Sequence, residues 1–270
     1  MVVLDRGFMQ QIKRSIDFKD ALVMGVVPDA EMILIDGWEP SSGAVSTMED
    51  IWPFPTASVG FTFNAGEVAI EALSDSVEDG TTGLTGAAKI KVEYLNALFI
   101  TKIAEITLNG TGIVAGPTDV KYMQRAWVSE WGANSAVRHT NIGNITIRIL
   151  GAGAPLEYIV AGNNASQSAR YTIPKGKRGF IMDWSVVGSQ TAGPGAIVHV
   201  LADKIKGSTV EYAFMIVDSF LQGRDSFNQP KRMVQPFEEG TTIIVAINPG
   251  GNSERFNVSM QIALLNTIAA

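Results

Sequence analysis

Short runs in which apolar and polar residues alternate constrain the fold of this chain more than any other feature. The runs KIKVEYL at 89–95, NITIRIL at 144–150 and NVSMQIAL at 257–264 each carry an apolar side chain at every second position. A two-residue period is typical of a strand that buries one face. The run TTIIVAIN at 241–248 is almost continuously apolar, which predicts a strand covered on both faces.

Turn residues separate these runs along the chain, which holds 27 glycines and 11 prolines. Pro174 and Gly176 lie between two apolar runs and predict a hairpin there. Many short strands at this spacing indicate a sandwich or a barrel. We therefore expect an all-β fold with two β-sandwich domains, jelly-roll or immunoglobulin-like, at 48–150 and 151–270. The sequence GAGAP at 151–155 marks the boundary between them.

Residues 1–47 are rich in apolar side chains but have no clean period, and we expect them to form an extended N-terminal arm. Residues 5–19 are the best candidate for one short helix. An apolar segment that lies outside a core usually covers another surface, so the arm is expected to contact a neighbouring chain. The candidate interface side chains in the arm are Phe8, Ile12, Ile16, Leu22, Val23, Met24, Met32, Ile33, Leu34, Ile35 and Trp38.

The segment MEDIWPFPT at 48–56 joins the arm to the first domain. Its two X-Pro bonds exclude a helix or a central strand. Trp52 and Phe54 are two residues apart, so they share a side if the segment is extended. We expect this pair to form the arm–domain junction and to close one end of the first sandwich.

Composition excludes several classes of function. The chain has no cysteine, so disulfides, thiol catalysis and thiolate metal sites are ruled out. The net charge of -6 and the pI near 5.0 do not provide the basic face of a nucleic-acid-binding protein. No signal peptide is evident, and no apolar stretch approaches the roughly 20 residues of a membrane helix. We expect a soluble protein with neither nucleic acid nor membrane as a partner.

No residue pattern points to catalysis, to a cofactor or to a metal. His139 and His199 are far apart in sequence, and a zinc site without cysteine would need both of them plus carboxylates. The glycine-rich loop at 80–86 precedes a strand, whereas a phosphate-binding loop precedes a helix. We therefore expect no catalytic, cofactor-binding or metal-binding residues. An enzyme whose carboxylates come together from distant loops is an open alternative.

Three segments follow one another in a distinctive order: MEDIWPFPT at 48–56, GTTGLTGAAKIKVEYLNALFITKIAEITLNGT at 80–111, and YIVAGNNASQSARYTIPKGKRGFIMDWSVVGS at 158–189. This order resembles that of a group of virion structural proteins of tailed bacteriophages, and the resemblance covers about half of the chain. It implies a virion component assembled in the host bacterial cytoplasm. Many members of the group are associated with the capsid exterior as cement or decoration proteins.

The function expected from this resemblance is a non-enzymatic capsid cement or decoration protein that bridges and stabilises coat subunits. Its partners would be the major capsid protein or neighbouring virion subunits. The apolar arm also predicts a homo-oligomer, and the resemblance alone suggests a trimer. The alternative is a neck, collar or tail component that binds a receptor or glycan. Trp127 and Trp131, four apart on an expected strand, would then share an exposed face, or else both fill a core.

Overall fold

The computed structural model of the protein describes residues 27, 29–40, 48–55, 60–80, 85–133, 139–189, 196–203, 214–222, 236–250 and 254–267. Within these ranges every regular element is a strand. The strands are β1 (Ala30–Glu39), β2 (Glu49–Asp50), β3 (Ile70–Ser74), β4 (Ala87–Leu95), β5 (Thr101–Thr107), β6 (Val114–Ala115), β7 (Tyr122–Trp131), β8 (Ile145–Ile149), β9 (Pro155–Ile159), β10 (Arg170–Thr172), β11 (Lys177–Ser189), β12 (Ala196–Asp203), β13 (Phe214–Gln222), β14 (Pro236–Phe237), β15 (Thr242–Asn248) and β16 (Arg255–Asn266).

The strands form four small sheets, and every strand pair is antiparallel. Sheet 1 has the order β1-β16-β11-β14, and sheet 2 has the order β10-β15-β12-β13 with β2 also paired to β15. Sheet 3 has the order β6-β3-β8-β9, and sheet 4 has the order β5-β4-β7.

The four sheets follow one another in a propeller-like ring. Sheets 1 and 2 enclose one apolar core, and sheets 3 and 4 enclose a second. An aromatic layer formed by Trp52, Phe54, Phe61 and Phe63 covers the outer face of sheet 2 and reaches Tyr158 of sheet 3. A groove separates sheet 4 from β1 of sheet 1. Sheets 2 and 4 also meet inside the ring, where the buried Gln124 side chain of β7 donates to the Thr172 carbonyl of β10 and accepts from its N–H.

This ring shows that the predicted pair of jelly-roll or immunoglobulin-like sandwiches is wrong. Sheets 1 and 2 combine strands that are distant in sequence, since β1 and β2 join β10–β16, whereas the consecutive strands β3–β9 form sheets 3 and 4. Residues 151–155, where we placed the domain boundary, connect the paired strands β8 and β9 of one sheet. The predicted helix at 5–19 lies outside the described residues.

The extended arm expected before residue 48 is also wrong for the part that the structure describes. Residues 30–39 form β1, which pairs with β16 over ten consecutive positions. Ile35 is buried in the core between sheets 1 and 2. Gly37 lies so close to that core that a Cβ atom there would be 2.5 Å from the Cβ atom of Ala169. β1 is therefore part of the fold.

Local patterns in the sequence do predict individual strands. β4, β8 and β16 bury their alternating apolar side chains, as their two-residue periods indicate. β15 is covered on both faces, because Ile243, Val245 and Ile247 enter the first core while Ile244 and Ala246 meet the aromatic layer.

The hairpin predicted around Pro174 and Gly176 is wrong. The turn does form, with Gly176 at a φ of 72° and with the Lys177 N–H donating to the Pro174 carbonyl. It connects β10 of sheet 2 to β11 of sheet 1, so the two strands lie on opposite sides of a core instead of pairing.

Candidate functional site: a groove between two sheets

The turn between β4 and β5 forms one side of the groove. The Asn96 side-chain Oδ1 accepts hydrogen bonds from the backbone N–H groups of Leu98 and Ile100, each at 3.0 Å. An asparagine that binds the backbone two residues ahead is a common turn former. The turn places Phe99 at a φ of 58°, a left-handed conformation that is unusual for a bulky residue.

Phe99 fixes this turn to the other side of the groove. Its ring stacks on Tyr122 with centroids 5.4 Å apart, and its carbonyl accepts a hydrogen bond of 2.8 Å from the Lys175 N–H. A Cβ atom at Gly240 would lie 2.8 Å from the Phe99 ring, and Gly240 has a φ of 77°. Only glycine satisfies both the conformation and the space at that position. Contacts with the turns at Lys175 and Gly240, which precede strands of sheets 1 and 2, thus stabilise the strained backbone conformation of Phe99.

The groove between sheet 4 and β1 has a volume of about 520 Å³. Sheet 4 contributes the β4–β5 turn and one row of side chains that runs across its strands, and sheet 1 contributes the start of β1 and of β11. Tyr171 of β10 lies between the two sides. The lining residues are Glu31, Ile33, Glu93, Phe99, Ile100, Thr101, Ile103, Arg125, Tyr171, Pro174, Lys175 and Lys177.

Two ion pairs set the charge of the groove. Arg125 Nε lies 2.7 Å from Glu93 Oε2 on adjacent strands of sheet 4. Lys177 Nζ lies 2.9 Å from Glu31 Oε1 in sheet 1. The two carboxylates therefore each have a cationic neighbour.

Tyr171 keeps its proton under ordinary conditions. Burial raises the pKa of its hydroxyl, and the nearby charges of Glu93 and Glu31 raise that pKa further. The phenol is thus a neutral group that can donate a hydrogen bond to a ligand in the groove.

An aromatic surface adjoins the groove on sheet 4. The Arg125 guanidinium lies 5.2 Å from the centroid of the Trp127 ring, a cation–π distance. Trp127 and Trp131 do not share a face, contrary to the expectation from their spacing. The β4–β7 pairing shifts register between them, so Trp127 is opposite Lys91 on the outer face, while Trp131 is opposite Ala87 and packs on the core.

Apolar side chains are exposed at the edge of the groove. Leu98, Ile100 and Ile103 are 61%, 42% and 58% exposed, and all three belong to the β4–β5 hairpin. Single exposed aliphatic residues are ordinary, but a cluster on one hairpin indicates a contact surface. The sequence did not single out these residues, because exposed and buried aliphatic side chains look the same in a strand pattern.

The candidate arm residues that the structure describes differ in how far they are exposed to solvent. Ile33 lines the groove and packs partly on the first core, Ile35 is buried, and Leu34 is 52% exposed on the other face of β1. Met32 and Trp38 are partly buried in the same strand. The remaining candidates in the arm, Phe8, Ile12, Ile16, Leu22, Val23 and Met24, lie outside the described residues.

Trp52 and Phe54 do share a side. Their rings stack with centroids 5.0 Å apart, and Trp52 is buried. Together with Phe61 they cover β15 of sheet 2, and Phe54 meets Tyr158 edge-on. They join sheets 2 and 3 instead of closing the end of a single sandwich.

The two histidines belong to separate parts of the ring. His139 packs at an angle against Trp131 of sheet 4, with ring centroids 5.3 Å apart. His199 is buried in β12 of sheet 2, and burial lowers its pKa. Within the described ranges no three histidine or carboxylate side chains cluster as metal ligands would, and no helix is long and apolar enough to cross a membrane.

No family model and no curated protein matches this chain. Three solved structures that it resembles weakly are of infectious bursal disease virus. The VP2 subviral particle is 9% identical, covering 94% of this chain and 83% of that chain at a TM-score of 0.18. The Gt strain structure is 10% identical, covering 93% and 77% at a TM-score of 0.18. The Gx strain structure is 10% identical, covering 94% and 82% at a TM-score of 0.14. TM-scores this low do not establish a shared fold.

Proposed function

We propose that the protein is a non-enzymatic structural component of a tailed-phage virion, a cement or decoration protein that bridges and stabilises coat subunits. The order of its sequence motifs, which resembles that of such virion proteins, supports the class. The observation that carries the proposal in the structure is the pair of exposed aliphatic side chains in the β4–β5 turn, Leu98 and Ile100.

The hairpin is suited to binding a neighbouring subunit because the fold holds it rigidly. Phe99 fixes the turn to the turns at Lys175 and Gly240, so little conformational freedom is lost when the apolar side chains are covered. The polar groups of the adjoining groove are ion pairs and a protonated phenol, which provide hydrogen bonds around an apolar centre. The partner would be the major capsid protein or another subunit of the virion.

The test is binding to particles that lack the protein. Purified protein should sediment with such particles at a stoichiometry that scales with the coat protein. A Leu98→Asp/Ile100→Asp variant should lose most of the binding, since each carboxylate would have to be desolvated in the contact. Val77→Asp is the matched control, because Val77 is 65% exposed on a different loop and its replacement should leave binding unchanged. Full binding by the double variant contradicts the proposed surface.

A second candidate is a neck, collar or tail component that binds a glycan. The observation in its favour is the Trp127 ring on the outer face of sheet 4, next to the groove, because sugar rings pack on aromatic planes. Titration calorimetry with oligosaccharides of the host surface, using Trp127→Ala as the comparison, tests it. Two results together would favour this candidate over cement. The first is saccharide binding that Trp127→Ala abolishes, and the second is a protein that is present in only a few rings per particle.

A further inference from the structure

β5 is an edge strand of sheet 4 with a regular backbone. It pairs with β4 over seven consecutive residues without any register shift. The other edge of the same sheet, β7, shifts register against β4 at three places. The Trp127 backbone in β7 also bridges to Ala165. No described residue pairs with the outer side of β5.

The hydrogen-bonding direction of β5 follows from its ends. The Leu108 N–H donates to the Ala88 carbonyl, and the Asn96 N–H donates to the Ile100 carbonyl. The even-numbered positions of this segment therefore bond to β4 or to its ends. In an antiparallel pair the alternate residues direct both backbone groups away from that partner. Thr101, Ile103 and Glu105 thus present their N–H and C=O groups at the outer edge.

β5 lacks most of the features that usually prevent an edge strand from pairing with another chain. Its sequence TKIAEIT contains no proline or glycine and has no bulge. Charged side chains can also block an edge, but both of its charges are engaged within the chain. Lys102 pairs with Asp119, and Glu105 lies 3.4 Å from Lys89. Ile103 in the middle of the strand is exposed.

We propose that two copies of the protein pair antiparallel through β5, about a two-fold axis at Ile103. In this register Ile103 faces its counterpart in the second copy, and Thr101 faces the second copy's Glu105. These are the residues whose backbone groups point outward, so each of these pairs is hydrogen-bonded. The two copies of sheet 4 join into one continuous sheet. The exposed Ile103 side chain of each copy is covered by the Ile103 side chain of the other.

Charge and apolarity select this register. A two-fold axis at Lys102 or at Glu105 would place like charges directly opposite each other, which is destabilising in a sheet. An axis at Ala104 would place Ile103 opposite the Glu105 carboxylate. The axis at Ile103 is the arrangement that buries aliphatic surface against aliphatic surface. A contact of this kind is isologous, so it closes as a dimer.

A single cysteine tests the register, because the natural chain has none. Directly opposed residues of a hydrogen-bonded antiparallel pair have Cα atoms about 5.5 Å apart, within the range that a disulfide spans. The Ile103→Cys protein at micromolar concentration, under mild oxidation, should therefore form a disulfide-linked dimer on a non-reducing gel. Val77→Cys is the control, with a thiol of similar exposure away from β5, and should cross-link much more slowly.

Light scattering of the unmodified chain should give twice the 28.9 kDa of one protomer. Ile103→Arg should return it to one protomer, because the two-fold axis would bring two like charges together, while circular dichroism and the thermal melt show that the fold is kept. Three results would overturn the inference: a monomeric natural chain, cross-linking of Ile103→Cys no faster than Val77→Cys, or a mass of three chains without that cross-link.

Discussion

Asp79 illustrates how a single carboxylate holds neighbouring sheets together. It is completely buried in the loop between β3 and β4. Its oxygens accept hydrogen bonds from the Ser74 hydroxyl and from the backbone N–H groups of Ala87, Ile142 and Gly143, at 2.6 to 2.9 Å. Ala87 begins a strand of sheet 4, and the other two N–H groups precede β8 of sheet 3. Charge-assisted bonds to several backbone donors are among the stronger hydrogen bonds in proteins.

We expect Asp79→Asn to lower the free energy of unfolding by about 3 kcal/mol, because the amide NH₂ would face a backbone donor and leave it unpaired. Urea unfolding at pH 7 measures the loss. Asp75→Asn is the matched control: Asp75 also binds the chain before β8, through Asn144, but is exposed. Its replacement should cost less than about 1 kcal/mol. Equal losses for the two variants would contradict the special role of Asp79.

Glu71 gives the fold a dependence on pH. It accepts hydrogen bonds from the Gly151 and Ala152 N–H groups and from Arg148, and so holds the turn between β8 and β9. The Gly151 bond in particular lowers the pKa of Glu71 below its ordinary value of 4.5. A carboxylate with a depressed pKa stabilises the folded state above its unfolded-state pKa, and that stabilisation is lost as the pH falls through the folded-state pKa.

Glu71→Gln should therefore be less stable than the natural chain at pH 7. The difference between the two should shrink as the pH falls below about 4.5, because the carboxyl of the unfolded chain then binds a proton, and should disappear below the lower pKa of the folded chain. Thermal melts of both proteins from pH 7 to pH 3 measure this. A difference that stays constant over the whole range would show that Glu71 acts through its shape and not through its charge.

At the scale of whole elements, sequence patterns predict strands but not their partners. The alternation in β4, β8 and β16 reports burial of one face, which is a local property. The pairing of β1 with β16 depends on residues that are far apart in the sequence, so the local pattern of residues 30–39 gave no sign of a strand partner. The β7 register shift likewise separates Trp127 from Trp131, and no local signal marks it. Local sequence patterns also do not predict the groove, because Phe99, Arg125 and Tyr171 come together only through sheet packing.

The position of β1 leads to a prediction about truncation. A chain that starts at Met48 lacks β1, so the core side of β16 loses Ile35 and ten paired residues lose their partners. We expect this chain to lose its cooperative melt or to melt at a much lower temperature. A chain that starts at Val27 keeps every described contact of β1 and should melt close to the full chain. A normal melt for the chain that starts at Met48 would contradict the structural role of β1.

At the scale of the whole molecule, a buried ion pair lies where the two halves of the ring meet. Arg170 of sheet 2 lies 3.1 Å from Glu157 of sheet 3, and both are almost fully buried. The guanidinium also lies 4.5 Å from the centroid of the Phe61 ring. Burial raises the pKa values of Glu157 and of the nearby Asp50. The junction thus holds a fully buried ion pair, with a second, partly buried carboxyl group close by.

Arg170→Met should lower the free energy of unfolding by about 3–5 kcal/mol, because it leaves Glu157 buried without its cation. The double variant Arg170→Met/Glu157→Leu should recover much of that loss, since no unpaired charge is left behind. Chemical unfolding of the two single variants and of the double variant forms a cycle that measures the coupling. Additive losses would mean that the two side chains stabilise the junction independently.

The location of β16 between β1 and β11 in sheet 1 has a consequence for biosynthesis. A ribosome delivers β1 well before β16, because the two strands lie at 30–39 and 255–266 of the chain. β1 therefore has no native neighbour in its sheet until the residues of β16 have been synthesised. Pairing across such a long separation in sequence is slow, and an unpaired strand is prone to aggregate in the meantime. The first sheet can close only once β16 has left the exit tunnel, so the yield of folded protein in the cell should respond to chaperones and to growth temperature.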